Sequence, residues 1–291
     1  MHVDLAIVVA GLIVGFIVGL TGMGGGALMT PILVLFFGVQ PLAAVSSDLV
    51  SSLVMKPFAG VVHARRKTVH ARLVGWLALG SVPSAFGGVL LLRALGPGQQ
   101  IQQVTELTLG AVLLLAVAGI IAKAVISARR QEAEDAPAEI EVKRARTVLI
   151  GALGGLAVGM TSTGSGTLVI VLLMLLYPAM SGRSLVGTDI VQAIPLVAAA
   201  ALGHLLFGDV KLGLTISLII GSVPGAYLGA RLSAITSSIW MRRFLAVVLL
   251  ASGLKLLDAP ASVLGAALAV MAASWLAWLA AHRLRRRQAG P

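Results

Sequence analysis

The sequence predicts an all-α polytopic membrane protein made of two inverted-topology repeats, each a broken, re-entrant-like helical hairpin followed by three transmembrane helices. Three observations support this fold class: the composition, an internal duplication and the placement of the basic residues. Of the 291 residues, 58% are hydrophobic and only 11% are charged, and the mean hydropathy is +1.01. These values are typical of a chain that has most of its length in lipid.

The second observation is that the chain contains the same pattern twice. Residues 20–26, "LTGMGGG", align with residues 160–166, "MTSTGSG". The four residues "GSVP" occur at 80–83 and again, 141 positions later, at 221–224. Polar residues rarely align in the same order by chance, so the two stretches are predicted to have the same fold.

The duplication divides the chain into four parts. The first transmembrane repeat covers residues 1–126 and the second covers residues 147–257. Between them, residues 127–146 are polar and charged, and they are predicted to form a solvated cytoplasmic linker. Residues 258–291 are predicted to add one extra transmembrane helix and a basic cytoplasmic tail.

Each repeat begins with a long apolar segment that contains a glycine cluster, at residues 5–37 and 147–178. As one helix, about 33 residues would measure about 50 Å, which is too long for one crossing of a hydrocarbon core of about 30 Å. Two full crossings with a turn would need more residues. We therefore predict two short helices that enter and return on the same side, with two short full crossings as the alternative.

After its broken segment, each repeat has three further apolar segments, and a last one precedes the tail. Short stretches rich in glycine, proline or charged residues separate them, as expected of loops between helices. In chain order, the predicted spans are 42–62, 70–95, 104–126, 185–207, 212–234, 240–257 and 262–281.

The third observation is the distribution of the basic residues. If each broken segment enters and returns, the Lys and Arg residues outside the spans divide 18 against 3 between the two sides; if each crosses once, they divide 12 against 9. The positive-inside rule favours the first division, which places the N-terminus outside and the C-terminus in the cytoplasm. Three full crossings per repeat, an odd number, then insert the two repeats in opposite orientations.

Both breaks are candidate anion-binding sites. A helix that begins inside the membrane presents unpaired backbone N–H groups and the positive end of its dipole, which attract an anion. Glycines let a ligand approach the backbone, and hydroxyls add donors. The alternative is close helix packing, for which Gly and Ser are also typical. The predicted substrate-binding residues in the breaks are Thr21, Gly24, Gly25, Gly26, Thr161, Ser162, Thr163, Gly164, Ser165 and Gly166.

Polar side chains within the predicted spans add further candidates. Asp48 and Asp189 are matched acids that are interpreted either as carriers of a coupling proton or ion, or as N-caps of their helices. Lys56 is expected either to neutralise a bound anion or to extend to the membrane interface. The Gln192 amide is a further candidate donor to a substrate oxygen.

The composition also excludes several kinds of function. The chain has no cysteine, and therefore no disulfide, thiol nucleophile or thiolate metal site. Its five histidines show no metal-ligand spacing, and the matched pair His63 and His204 is interpreted as terminating helices. We find neither a nucleophile–base pair nor a P-loop motif, so we expect no enzyme activity, no cofactor and transport driven by a gradient. The net charge of +11 lies in loops and indicates topology rather than nucleic-acid binding.

Five stretches carry a family resemblance: "GFIVGLTGMGGGALMTPILVLFFGVQPLAAVSSDLV", "GVVHARRKTV", "VGTDIVQAIPL", "GHLLFGDVKLG" and "GSVPGAYLGARLS". With them the chain resembles, over about residues 5–257, the TauE/SafE family, also described as sulfite exporters or the 4-toluene sulfonate uptake permease family. The resemblance implies an inner-membrane permease for small sulfur-containing anions such as sulfite or organosulfonates. The repeat is imperfect: Ser165 replaces the second of the three glycines, and Lys56 is matched by Val197.

The leading interpretation is a secondary transporter of small sulfur-containing anions that works by alternating access at the paired breaks, coupled to protons or another ion. The alternative is a transporter of another small anion or of a metal cation, with Asp48 and Asp189 as ligands. The expected partners are the lipid bilayer and the small anionic substrate, without nucleic acid. A homo-oligomer is left open by the sequence.

Overall fold

A computed structural model describes residues 3–21, 25–65, 68–96, 98–129, 141–232, 239–267 and 269–271. The regular elements in these ranges are helices, without a β-strand, and the predicted all-α class is therefore confirmed. Of the helices described, α3, α4, α5, α8 and α9 are long and apolar enough to cross a membrane. α1 and α2 are shorter apolar helices.

The two repeats contain matching helices in the same order. In the first repeat they are α1 Leu5–Thr21, α2 Gly26–Phe37, α3 Pro41–Arg65, α4 Ala71–Ala94 and α5 Gln99–Arg129. In the second they are α6 Arg144–Thr161, α7 Leu168–Leu176, α8 Gly182–Phe207, α9 Leu212–Leu232 and α10 Ile239–Leu256. Residues 261–267 are helical as well. The centre of the linker, most of the last predicted span and the basic tail lie outside the described residues.

The helices α5 and α8 begin earlier than predicted, for different reasons. α5 begins at Gln99 rather than at residue 104. The glutamines that precede the apolar segment are polar, but glutamine favours helix, so the helix includes them. α8 begins at Gly182 rather than at residue 185. Its N-cap is Ser181, whose side chain accepts a backbone hydrogen bond from Ser184, and such a cap fixes a helix start independently of hydrophobicity.

The helices end and begin at the two predicted breaks. α1 ends at Thr21 and α2 begins at Gly26, with residues 22–24 outside the described residues, and residues 162–167 separate α6 from α7. In the second break Ser162, Gly164 and Gly166 have φ angles of 58°, 132° and 88°. A right-handed helix cannot continue through such angles, and two of the three positions are glycine, which adopts them readily.

The second broken segment is a helical hairpin with unequal arms. The Tyr177 hydroxyl, just after α7, lies 2.5 Å from that of Thr147, near the start of α6. Val169, near the start of α7, packs against Gly154 in the second half of α6. α7 therefore runs back along α6. α6 is about 27 Å long and α7 about 14 Å long. The length of α6 is therefore close to the thickness of the hydrocarbon core, and that of α7 is about half of it.

α2 runs antiparallel to α3, so the first broken segment also reverses. Gly25, at the start of α2, lies against Met55, whereas Thr30, further along α2, contacts Asp48. α3 is parallel to α9, because Ser51 contacts Ser222 and, further along both helices, Arg65 and Arg231 line the same pocket. α9 is in turn parallel to α1, as the contacts described next show. Thus α1 and α2 run in opposite directions on either side of the break.

Glycines bring α1 and α9 into backbone contact. A Cβ atom on Gly221 would lie 2.0 Å from the carbonyl oxygen of Val8, and one on Gly229 would lie 2.1 Å from that of Phe16. Residue numbers rise together along both helices, so the pair is parallel. Such close approach of helix backbones is typical of small residues spaced four apart in membrane proteins.

The two repeats pack against each other in matched pairs. α1 packs along α9, and its counterpart α6 packs along α4. α3 packs on α9 as α8 packs on α4, while α3 contacts α8 and α5 contacts α10. Exchanging the two repeats therefore converts α1–α9 into α6–α4 and α3–α9 into α8–α4, and leaves the α3–α8 and α5–α10 contacts unchanged.

The matched helices α3 and α8 are antiparallel where they pack against each other. Ser46, near the start of α3, contacts His204 near the end of α8. Gly60, near the end of α3, packs against Ile194 in the middle of α8. These two helices hold most of the buried polar side chains that the sequence analysis singled out.

Candidate functional site

The two breaks meet in the buried interior, and we call their point of contact the junction, formed by Gly26, Thr30 and Ser162. A Cβ atom on Gly26, the first residue of α2, would lie 2.1 Å from the Ser162 carbonyl oxygen. The Thr30 and Ser162 hydroxyls are hydrogen-bonded at 2.7 Å. The junction therefore joins the start of α2, which follows the first break, to the second break, and only a glycine fits at position 26.

Asp48 adjoins the junction from α3. Its carboxylate accepts a hydrogen bond from the Thr30 hydroxyl at 3.3 Å, and the hydroxyls of Ser162 and Ser52 also hydrogen-bond to it. Asp48 is buried and lies two turns inside α3, which begins at Pro41. The interpretation of Asp48 as a helix N-cap is therefore wrong, because an N-cap precedes the first helical turn.

Asp189 occupies the matched position in α8, and it is not an N-cap either, since Ser181 caps that helix. Its Oδ1 atom accepts a hydrogen bond from the Gln192 amide at 3.3 Å. Gln192 accepts one in turn from the Ser81 hydroxyl at 3.2 Å. Gln192 thus orients Asp189 from one turn away on the same helix.

Lys56 extends from α3 to the second break. Its Nζ atom donates to the Ser165 hydroxyl at 2.9 Å. The side chain is only 7% exposed, so the interpretation that it extends to the membrane interface is wrong. The ammonium group is close enough to Asp189 and to Asp48 to interact electrostatically with both. A single buried cation therefore faces two buried carboxylates and a break.

A cavity of about 30 Å³ lies beside Lys56 and Asp189, with room for about two water molecules. Gly25 of the first break and Ser165 of the second line it, together with His63. Small and apolar residues of α1, α3, α8 and α9 complete the wall: Val18, Gly19, Met55, Ala59, Ile190, Ala193, Ala226 and Ala230. We call this space the junction cavity.

The other predicted residues of the breaks make hydrogen bonds within their own segments. The Thr161 and Thr163 hydroxyls donate to the carbonyl oxygens of Ala157 and Thr161, and the Thr21 hydroxyl donates to that of Ile17. The remaining predicted residues of the second break are Gly164 and Gly166, whose positive φ angles shape its turn. Gly24 lies outside the described residues.

Two matched hydrogen bonds were not anticipated. The Ser222 hydroxyl on α9 lies 3.2 Å from the Ser51 hydroxyl on α3, and Ser81 on α4 bonds to Gln192 on α8. Ser51 and Gln192 are matched positions, as are the two serines of the "GSVP" motifs. The signal was present in the sequence, because the constant offset of 141 residues pairs all four.

The two matched histidines lie in the last turns of α3 and α8, as predicted. His204 is buried, with Nδ1 2.7 Å from the Ser46 hydroxyl and Nε2 2.8 Å from the Gly159 carbonyl oxygen. His63 lines the junction cavity. Among the described residues, no group of three or more His, Asp or Glu side chains could hold a metal ion.

Comparison with known proteins decides the family. The model of the family described as "Sulfite exporter TauE/SafE" matches residues 7–256. The chain belongs to the TauE/SafE family. The resemblance predicted from the sequence is confirmed, and the glycine-rich breaks, both aspartates and Lys56 lie within the matched range.

Two curated relatives are described as membrane transporters. "Probable membrane transporter protein YjnA" of Bacillus subtilis (strain 168) is 38% identical over 255 residues, covering 87% of this chain and 100% of YjnA. "Probable membrane transporter protein YdhB" of the same organism is 24% identical over 248 residues, covering 84% and 96%. No solved structure matched significantly. The chain is thus a multi-pass membrane transporter of the TauE/SafE family.

Proposed function

We propose that this TauE/SafE protein is a secondary transporter of small sulfur-containing anions, such as sulfite or organosulfonates, in the cell inner membrane. The observation that carries the proposal is the hydrogen bond from buried Lys56 to Ser165, beside the point where the two breaks meet. A buried ammonium group attracts an anion, and a broken helix next to it offers backbone donors.

The donors around the junction cavity suit a small oxyanion. Lys56 provides charge and Ser165 a hydroxyl, and Gly25 lines the cavity just before α2 begins. The first N–H groups of that helix, at Gly26 and Ala27, precede the first hydrogen bonds of the helix, which Leu28 and Met29 donate to the Gly25 carbonyl oxygen. Gly25 leaves the cavity wall bare of a side chain, so a ligand can approach the backbone there. Several donors that converge on one small space match the several acceptor oxygens of a sulfite or sulfonate group.

The charges around the cavity lead us to propose proton coupling. With Lys56, Asp48 and Asp189 all ionised, the group carries a net charge of −1, which opposes the arrival of an anion. Protonation of one carboxylate removes that charge, so anion binding and proton binding favour each other. His63 is a further titratable residue lining the cavity. Anion uptake should therefore increase as the pH on the uptake side falls.

Alternating access by two inverted repeats is part of the proposal. The matched contacts between the repeats, the opposite directions of α3 and α8, and the reversal of the chain at each break support it. The basic residues support an outside N-terminus and a cytoplasmic C-terminus. In transporters of this design, the site lies where the interrupted helices of the two repeats meet.

A metal cation or another small anion is the alternative substrate. The two buried carboxylates favour a cation, with Asp48 and Asp189 as ligands. The ammonium group of Lys56 opposes it, because a cation bound near these carboxylates would be repelled by a charge that interacts with both.

Uptake into proteoliposomes tests the proposal. The substrates are sulfite, methanesulfonate, chloride and Ni²⁺, each with and without an inward proton gradient. We expect a sulfur oxyanion to accumulate, faster with the gradient. Asp189→Asn should abolish the effect of the gradient while the substrate still binds. Accumulation of Ni²⁺ would support the alternative, and no movement of either sulfur oxyanion would exclude the proposed substrate class.

A further inference from the structure

A second concave feature, which we call the arginine groove, lies between the C-terminal halves of α3 and α9. Its volume is about 380 Å³, which is within the range of small-molecule sites. The residues that line it are Pro57, Phe58, Val61, Arg65, Tyr227 and Arg231. Phe58 and Val61 are 46% and 50% exposed, and Tyr227 is 38% exposed. The groove therefore combines exposed apolar walls with two cations.

The arginine groove and the junction cavity lie on different faces of the same two helices. Lys56 and Ala59 of α3 face the cavity, and so does Ala226 of α9. The neighbouring residues Phe58 and Tyr227 face the groove. The groove is therefore not an extension of the proposed substrate site; its exposed apolar wall faces outward, where lipid chains surround the protein.

Arg231 is held in position at the groove. Its guanidinium carbon lies 4.6 Å from the centre of the Tyr227 ring, within the range of a cation–π contact. Arg65, at the last residue of α3, is exposed. Both arginines lie at the C-terminal ends of their helices, on the side that the charge distribution predicts to be cytoplasmic.

The internal repeat supplies a matched control for this arrangement. At the positions 141 residues away, Leu206 stands in place of Arg65 and Leu90 in place of Arg231. Both leucines are exposed as well, by 60% and 42%. The fold therefore does not require a cation at either position, and the pair of arginines belongs to one face of the molecule only.

We propose that the arginine groove binds an anionic phospholipid. Its phosphate would lie between Arg65 and Arg231, and the part of an acyl chain nearest the headgroup would lie along Phe58 and Val61. Charge complementarity identifies the headgroup, since basic pockets between membrane helices recognise anionic lipids. The apolar wall favours a lipid over a free anion, because an acyl chain can pack on Phe58 and Val61 while the phosphate reaches the arginines, whereas a small hydrophilic ion would use the arginines alone.

Thermal unfolding of the purified full chain in mixed micelles tests this proposal. Phosphatidylglycerol and phosphatidylcholine are added separately at equal concentration, and inorganic phosphate is added in a third series. A ligand that binds the folded state raises the unfolding midpoint. We expect phosphatidylglycerol to raise it more than phosphatidylcholine does, and phosphate alone to have no effect. The readout is independent of transport and of the proposed substrate.

The variant Arg65→Leu/Arg231→Leu copies the leucines of the matched positions and should lose the phosphatidylglycerol-specific increase. The control Arg72→Leu/Arg146→Leu removes two exposed charges on the same predicted side, outside the groove, and should keep the increase. If the double variant does not fold, single Arg65→Leu should reduce the increase. An unchanged increase in the groove variants would overturn the proposal, and so would an equal increase with phosphate alone.

Discussion

Lys56 is a buried residue at which the two repeats differ in charge. Its matched position is Val197, and its hydrogen-bond partner Ser165 is matched by Gly25. The bond between them therefore has no counterpart in the other half. A symmetric scaffold thus carries an asymmetric site, with a cation reaching from the first repeat to the break of the second.

Removing the Lys56 charge should destabilise the protein through the carboxylates left behind. We expect Lys56→Met to lower the free energy of unfolding by about 3–5 kcal/mol, because a buried charge then loses its partner. Adding Asp189→Asn should restore part of that loss, so that the double variant costs less than the sum of the single variants. Thermal or denaturant unfolding of the four proteins in detergent measures this coupling. Additive losses would contradict the electrostatic pairing.

Gly25 allows a test that separates the cavity from helix packing. A Cβ atom there would lie 3.1 Å from the flexible end of Met55 and 3.4 Å from the Ser52 hydroxyl oxygen. Both are side-chain atoms, so a side chain can be accommodated without displacing backbone. We expect Gly25→Leu to fill the junction cavity and abolish most uptake, with little change in the unfolding midpoint. The control is Gly87→Leu in α4, where an added Cβ meets nothing within 4 Å. Normal uptake by Gly25→Leu would assign this glycine to packing alone.

Sequence reasoning succeeded for residues whose chemistry is unusual at their position. Buried charge in an apolar segment is rare, so Lys56 and the aspartates were identified without coordinates. It did not identify Thr30, because a threonine in a helix commonly bonds to its own backbone and gives no distinctive signal. The N-cap alternative for Asp189 arose because hydrophobicity does not reveal a helix start, which Ser181 sets.

At the scale of elements, glycine has two different tasks in this chain. In the breaks, glycine ends a helix or leaves the wall of the junction cavity without a side chain. Along α1 and α9, it allows the two helix backbones to come into contact. The sequence predicted the breaks, because clustered glycines weaken a helix strongly. It did not distinguish the packing glycines, since a spacing of four residues acquires its meaning only when the partner helix is known.

The contact between α1 and α9 should depend on its glycines. A Cβ atom on Gly225 would lie 2.3 Å from the Leu12 carbonyl oxygen, which is backbone and cannot move aside alone. We expect Gly225→Ala to lower the free energy of unfolding by about 1–3 kcal/mol, the usual cost of overpacking. Gly87→Ala is the matched control, and it should be neutral or slightly stabilising because alanine favours helix. Equal stability of the two variants would contradict the packing.

At the scale of the whole molecule, hydrogen bonds repeat under exchange of the two halves. The Ser47 hydroxyl accepts from the backbone N–H of Lys211 at 3.2 Å, and the matched Thr188 hydroxyl accepts from that of His70 at 3.0 Å. Both bonds tie a central helix to the start of a neighbouring helix. The duplication in the sequence predicted that such pairs exist, but the partner of each helix depends on how the halves dock, which the sequence does not encode locally.

The proposed inverted topology can be tested with single cysteines, since the natural chain contains none. Arg72→Cys lies at the start of α4, and Lys211→Cys precedes the matched helix α9. We expect a membrane-impermeant maleimide to label Lys211→Cys in intact cells and Arg72→Cys only after the membrane is opened. Labelling of both positions from the same side would contradict opposite insertion of the repeats.

Sulfite uptake by Lys56→Gln tests whether the two breaks and Lys56 form one anion site. The variant keeps a hydrogen-bond donor but removes the charge, and size-exclusion chromatography confirms that it is folded before reconstitution. In proteoliposomes with an inward proton gradient, we predict that the natural protein accumulates radiolabelled sulfite and that Lys56→Gln stays at the level of protein-free vesicles. Uptake by folded Lys56→Gln at the natural rate would show that the Lys56 charge is not part of the anion site.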